Sequence, residues 1–143
     1  PPFPLALSHM SLSVLPLGGA REIGRSCLLL TTGLGDRILL DCGIHTAFAD
    51  LRAFPRLEAL REEGVGYKRC VQAVFITHYH LDHVGALPHL VAVLGYEGPL
   101  YMTSATKAIA QVSRGIRSRS LSPHPTTHPP KDARSNVCVC VCV

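Results

Sequence analysis

Six consecutive residues, His78-Tyr79-His80-Leu81-Asp82-His83, carry the densest chemistry in the sequence. Imidazole is the preferred neutral nitrogen donor for zinc, and a carboxylate adds a charged oxygen donor. Three histidines and an aspartate this close together are too polar to be core packing. In an extended segment alternate side chains share a side, so His78 and His80 are expected to face one way while Asp82 and the adjacent His83 turn another. Two neighbouring metal ions can thus share one short segment. The bland alternatives are a surface histidine cluster and a chance, low-affinity metal patch. An isolated H-x-H would fit either; H-x-H-x-D-H after a β-like run and just before Gly85 is far more specific.

Positioning such a cluster takes a strand on one side and a helix on the other. Residues 73–77 form a short apolar run typical of a buried strand, and residues 86–94 read as an apolar helix closed by Gly95. A ligand loop at the carboxyl end of a strand is where α/β folds place chemistry. Upstream, residues 11–17 alternate and stop at Gly18-Gly19, and residues 26–31 form a second β-like run. Gly33-Leu34-Gly35-Asp36 then turns into residues 37–41, which predicts a hairpin. Residues 55–63 place Leu57 and Leu60 at helical spacing, with Gly64 as the stop. Residues 99–103 predict another strand, and Ser104 a cap for a helix from Ala105. Strands followed by strand–loop–helix units predict an α/β layered fold with a mixed sheet.

A chain of 143 residues suggests one domain. No apolar run reaches the roughly 18–20 residues that span a bilayer, so no membrane association is expected. Residues 1–9 lack the basic start and cleavage site of a signal peptide. The net charge is +4, yet up to Gln111 there are nine Lys/Arg and nine Asp/Glu. The excess lies entirely in the tail, so the folded part has no basic face for nucleic acid. Cys27, Cys42 and Cys70 are scattered without a C-x-x-C pair, as buried, reduced thiols of a cytosolic or nuclear protein would be.

From Val112 onward neither helical nor strand periodicity is visible, and the chain ends in alternating valine and cysteine, with Cys138, Cys140 and Cys142. A thiolate metal tract and a sticky low-complexity end are two readings. The preferred one is genetic: a GT repeat translates as Val-Cys alternation, and Gln-Val-Ser is what a common splice donor encodes when read through. Three parts are therefore expected. Residues 1–10 are a non-native or disordered leader with Met10 as the native start. Residues 11–111 are the folding domain, and residues 112–143 are a disordered tail of intronic origin.

At the histidine cluster the sequence resembles the metallo-β-lactamase superfamily, whose hallmark is H-x-H-x-D-H, and the likeness extends over residues 13–111. Pro16-Leu17-Gly18-Gly19 and Gly24-Arg25-Ser26-Cys27 resemble the opening of its RNA-processing branch, the β-CASP nucleases. Leu39-Leu40-Asp41-Cys42-Gly43-Ile44-His45 resembles that branch's first acidic motif, and Leu81-Asp82-His83 followed by Gly85-Ala86-Leu87-Pro88 fits as well. Residues 50–55 and 95–103 lean towards the Integrator-type endonuclease subunits. Residues 105–109 look equally like those of the cleavage and polyadenylation factors.

The resemblance implies the N-terminal part of an αββα sandwich, a mixed sheet with flanking helices, truncated in this chain. It implies two zinc ions, with His78 and His80 binding the first and Asp82 and His83 the second. Asp82 would also act catalytically by orienting the attacking water, and Asp41 would hydrogen-bond to the ligand loop from behind. His45 is a further position behind the ligands, whereas His89 reads as an ordinary core or surface histidine. The implied activity is zinc-dependent RNA endonuclease in RNA 3′-end processing. RNA is the substrate, other subunits of a 3′-processing complex are the partners, and the nucleus, then the cytoplasm, is the location. The family's remaining ligands and its RNA-clamping insertion have no counterpart in the chain. The polypeptide is thus expected to bind zinc weakly, to cut nothing and to expose apolar sheet surface. One alternative is another metallo-hydrolase of this fold, acting on thioesters or lactams. The other is a non-catalytic assembly subunit, against which the intact motif weighs.

Overall fold

The computed structural model describes residues 11–61, 63–64, 66–112 and 139–140, with the backbone alone at 111–112 and 139–140. The expected leader at 1–10 and most of the expected tail lie outside the described residues.

A mixed sheet in sequence order forms the frame. Strands β1 (Leu12–Gly18), β2 (Cys27–Thr32) and β3 (Arg37–Leu40) are antiparallel neighbours, joined between β2 and β3 by the expected hairpin turn. Strands β4 (Ala73–Phe75) and β5 (Leu100–Tyr101) continue the sheet in parallel. A two-residue strand, β6 (Val139–Cys140), pairs in parallel with β5. The parallel half needs crossovers, and these supply the helical layer.

The pairing register puts Leu29, Leu39, Val74 and Leu100 in one row across four strands, and each is at most 4% exposed. Leu57, Leu60, Val84, Leu87 and Leu90 pack against this face. Burying each such side chain contributes about 1.5–3 kcal/mol. Cys27, Cys42 and Cys70 are free and buried in the same core. The hydrogen-bonded Cys27 thiol and burial push the Cys42 thiol well up, which keeps it protonated and inert.

The opposite row, Leu28–Leu40–Phe75–Tyr101, is also apolar, yet none of its four members is buried. Phe75 is 39% exposed and stacks on Tyr101 with ring centroids 4.7 Å apart. A mixed sheet with helical segments packed on its buried face makes one sheet-and-helix half of the expected sandwich.

Three local expectations are corrected. Among the described residues of 55–63 there is no α-helix; the helical element there is a 3₁₀ turn, Leu57–Leu60. A three-residue repeat eclipses positions i and i+3, so the tight turn alone buries both Leu57 and Leu60. The helix expected after the histidine cluster begins within it, as α1 (Leu81–Val84), and continues through a π-helical turn, His89–Val93. Its end at Gly95 is as expected, with φ at +80°, a conformation that glycine adopts freely. Helix α2 (Ser104–Val112) is capped by Thr103 rather than Ser104, because the Thr103 hydroxyl accepts from the Thr106 amide at 3.2 Å.

Candidate metal centre

The cluster sits at the carboxyl ends of β3 and β4. Thr77 and His78 follow β4, and His80 is the residue before α1, with extended backbone (φ −65°, ψ 145°). Asp82 and His83 occupy the single turn of α1 rather than the loop expected from the sequence. A helix of four residues satisfies few of its own carbonyls: Leu81 takes the Gly85 amide at 2.9 Å, and the carbonyls of Asp82 and His83 must find partners elsewhere. Segment 41–44 and Ser26 fill this need. Ile44, Ser26 and Cys42 donate their amides to the carbonyls of Leu81, Asp82 and His83 at 2.9, 2.8 and 2.8 Å. Gly43 lies so close that a Cβ there would stand 1.7 Å from the Asp82 carbonyl oxygen. A side chain at residue 43 would therefore displace α1 itself.

Asp41 ends β3 in a left-handed conformation, φ +59°, which costs an L-residue roughly 1–2 kcal/mol and which Asp and Asn tolerate best. Its amide is tied to the Phe75 carbonyl at 2.8 Å. The resulting turn aims a buried carboxylate, 6% exposed as a residue, at the cluster. Asp41 Oδ1 accepts the Thr77 amide at 2.8 Å and the Thr77 hydroxyl at 3.0 Å, while Oδ2 lies 2.8 Å from His83 Nδ1. Among the described residues no buried side-chain polar atom lacks a hydrogen-bond partner.

Four of the expected site residues come together as two adjoining pairs. His78 Nε2 is 3.1 Å from His80 Nδ1, and His83 Nε2 is 3.4 Å from Asp82 Oδ2. The rings of His78 and His83 touch, with centroids 4.1 Å apart. Ligand atoms about 2.0–2.1 Å from a tetrahedral zinc stand about 3.3 Å from one another. Both pairs have this spacing and donors of the type zinc prefers, so each pair fits two positions of a zinc ligand set. Each pair offers two donors only. Among the described residues, no three His, Cys, Asp or Glu side chains are arranged to hold one ion.

The two other described histidines, His45 and His89, take partners outside the cluster. His45 accepts from the Ala47 amide at 3.2 Å and packs its ring at a tilt against Phe48. His89 packs at a tilt against Phe54, ring centroids 4.5 Å apart. Sequence reasoning missed Thr77, whose hydroxyl is also 2.9 Å from His78 Nδ1. Its only sequence signal is a hydroxyl residue immediately before the first histidine.

The profile of the Metallo-beta-lactamase superfamily matches residues 20–136. The chain belongs to this superfamily. It is 45% identical over 101 residues to Integrator complex subunit 11 of Danio rerio, covering 71% of this chain and 17% of that one. It is 43% identical over 103 residues to the Integrator complex subunit 11 homolog of Dictyostelium discoideum, covering 72% of this chain and 14% of the other. Cleavage and polyadenylation specificity factor subunit 3-II of Arabidopsis thaliana is 40% identical over 101 residues, 71% of this chain and 16% of the relative. The matched segment thus spans only 14–17% of the length of these relatives. The metallo-beta-lactamase fold protein YhfI of Bacillus subtilis shares the fold, with TM-score 0.51 and 18% identity over 92% of this chain and 47% of that one. Members of the metallo-beta-lactamase superfamily generally bind zinc. No described helix is long and apolar enough to cross a membrane.

Proposed function

We propose that residues 11–111 carry one half of a two-zinc phosphodiesterase site, from an RNA endonuclease of nuclear 3′-end processing that works beside other subunits. One observation carries the reading. Two donor pairs at zinc-ligand spacing are tied to one buried carboxylate, His83 directly and His78 through Thr77, in a chain 40–45% identical to Integrator and polyadenylation-factor subunits.

In this reading His78 and His80 hold one ion, and Asp82 and His83 the other. Bound zinc supplies an acidified water near neutral pH and offsets charge developing on the phosphoryl oxygens. Asp82 has a second carboxylate oxygen, which accepts a hydrogen bond from the attacking water and so orients it. Asp41 accepts the Nδ1 proton of His83 and keeps the Nε2 lone pair pointed at the ion, the usual support for a metal-binding imidazole. Two donors per ion are fewer than the three or four that zinc sites ordinarily use, so this chain alone holds zinc weakly and leaves RNA intact.

The experiment has two arms. The 143-residue chain is titrated with zinc and incubated with labelled single-stranded RNA; weak binding, abolished by H78A together with D82A, and no cleavage are expected. Two tightly held ions with RNA cleavage by this chain alone would overturn the half-site reading. In the second arm residues 11–111 replace the matched 101 residues of the Danio rerio relative, and RNA, a β-lactam and a thioester are offered. Hydrolysis of RNA alone is expected; turnover of the lactam or thioester with RNA untouched sinks the endonuclease reading.

A further inference from the structure

We propose that Thr77 is a positioning residue: its hydroxyl fixes which ring nitrogen His78 presents and places both donor pairs under the control of one carboxylate, Asp41. The proposal rests on the metal reading above for its consequence, and on hydrogen-bond geometry for its substance.

The Thr77 hydroxyl oxygen stands 3.0 and 3.1 Å from the two Asp41 carboxylate oxygens and 2.9 Å from His78 Nδ1. A hydroxyl has one proton to give and lone pairs to receive, and an ionised carboxylate only receives. If the Thr77 proton went to His78, the hydroxyl and carboxylate oxygens would face each other lone pair to lone pair. The arrangement that satisfies all three groups has Thr77 donating to Asp41 and accepting the Nδ1–H of His78. His78 then carries its proton on Nδ1 and presents the Nε2 lone pair, the atom that lies 3.1 Å from His80 Nδ1.

The second pair obeys the same carboxylate directly. Asp41 Oδ2 takes the Nδ1–H of His83 at 2.8 Å, and His83 presents Nε2 beside Asp82 Oδ2. Asp41 therefore sets the tautomer of one histidine in each pair, of His83 by contact and of His78 through Thr77. The Thr77 amide bond to Asp41 Oδ1, 2.8 Å, survives any substitution other than proline. Removing the hydroxyl thus isolates the control of His78 from the anchoring of the loop.

The test uses the full 143-residue chain with ¹⁵N-labelled imidazoles, studied without metal above the pH at which imidazoles protonate and then during titration with Zn²⁺. Ring-nitrogen shifts distinguish the Nδ1–H from the Nε2–H form. In the unchanged chain His78 and His83 are both expected as Nδ1–H. In T77V, His78 drifts to a mixture dominated by Nε2–H while His83 stays as it was. The zinc concentration that shifts the His78 and His80 signals rises about tenfold, at the lower end of the losses seen on removing a group that orients a ligand. T77S restores both. An unchanged His78 tautomer in T77V, or equal loss in T77S and T77V, overturns the proposal. A tautomer that responds as expected, with zinc binding indifferent to H78A, upholds the positioning role and sinks the metal reading instead.

Discussion

His80 and His83 are three residues apart and differ in almost everything that holds them. His83 lies in a turn of helix whose carbonyls are claimed by Ser26, Cys42 and Ile44, and its ring is fixed by a buried aspartate. His80 precedes that turn on an exposed bend and touches its surroundings mainly through His78 and Tyr79. His78 is intermediate, steadied by one hydroxyl. The donor pair carrying His83 is therefore built into the fold, and the pair carrying His80 is laid on its surface. Pre-organisation of this kind lowers the ordering cost of binding a ligand, so the Asp82–His83 pair is the better prepared of the two.

The contrast can be broken most severely at Gly43. A methyl group 1.7 Å from the Asp82 carbonyl has no side chain to push aside, only backbone. G43A is expected to destabilise the chain by at least about 3 kcal/mol, the upper end for overpacking, as read from urea unfolding, and to remove the advantage of the Asp82–His83 pair. D41N comes next. Exchanging the charged acceptor is expected to cost about 1.5–3 kcal/mol and to weaken zinc binding at His83 more than at His78, resolved by following each imidazole in an NMR titration. The mildest pair of changes sharpens the comparison instead. H83A leaves Asp41 short of a donor and is expected to lower stability by about 1–3 kcal/mol, whereas H80A is expected to stay within about 0.5 kcal/mol of the parent. Thermal unfolding of the two variants side by side decides it.

Much of this was legible in the residues. Alternation and turn glycines give the hairpin of β2 and β3, and apolar runs give β4 and β5, because period and turn chemistry are local properties. The four proposed donors stand out by type and spacing. The two-pair geometry is less visible, since His80 and Asp82 flank a change from extended to helical backbone that no single residue signals. Thr77 was hidden for a different reason: its role depends on Asp41, brought beside it only when β3 pairs with β4. The 3₁₀ turn at Leu57–Leu60 was misread because i,i+3 spacing serves both helix types.

One turn of helix lies far below the length at which a helix persists by itself in water. Helix α1 exists because amides from two distant stretches of chain arrive to complete it. A synthetic peptide spanning residues 73–95 would contain His78, His80, Asp82 and His83 in their natural order, yet would have neither Asp41 to hold a tautomer nor Ser26, Cys42 and Ile44 to hold the turn. The short sequence that announces the site is thus unable to form it alone; the arrangement is a property of the sheet.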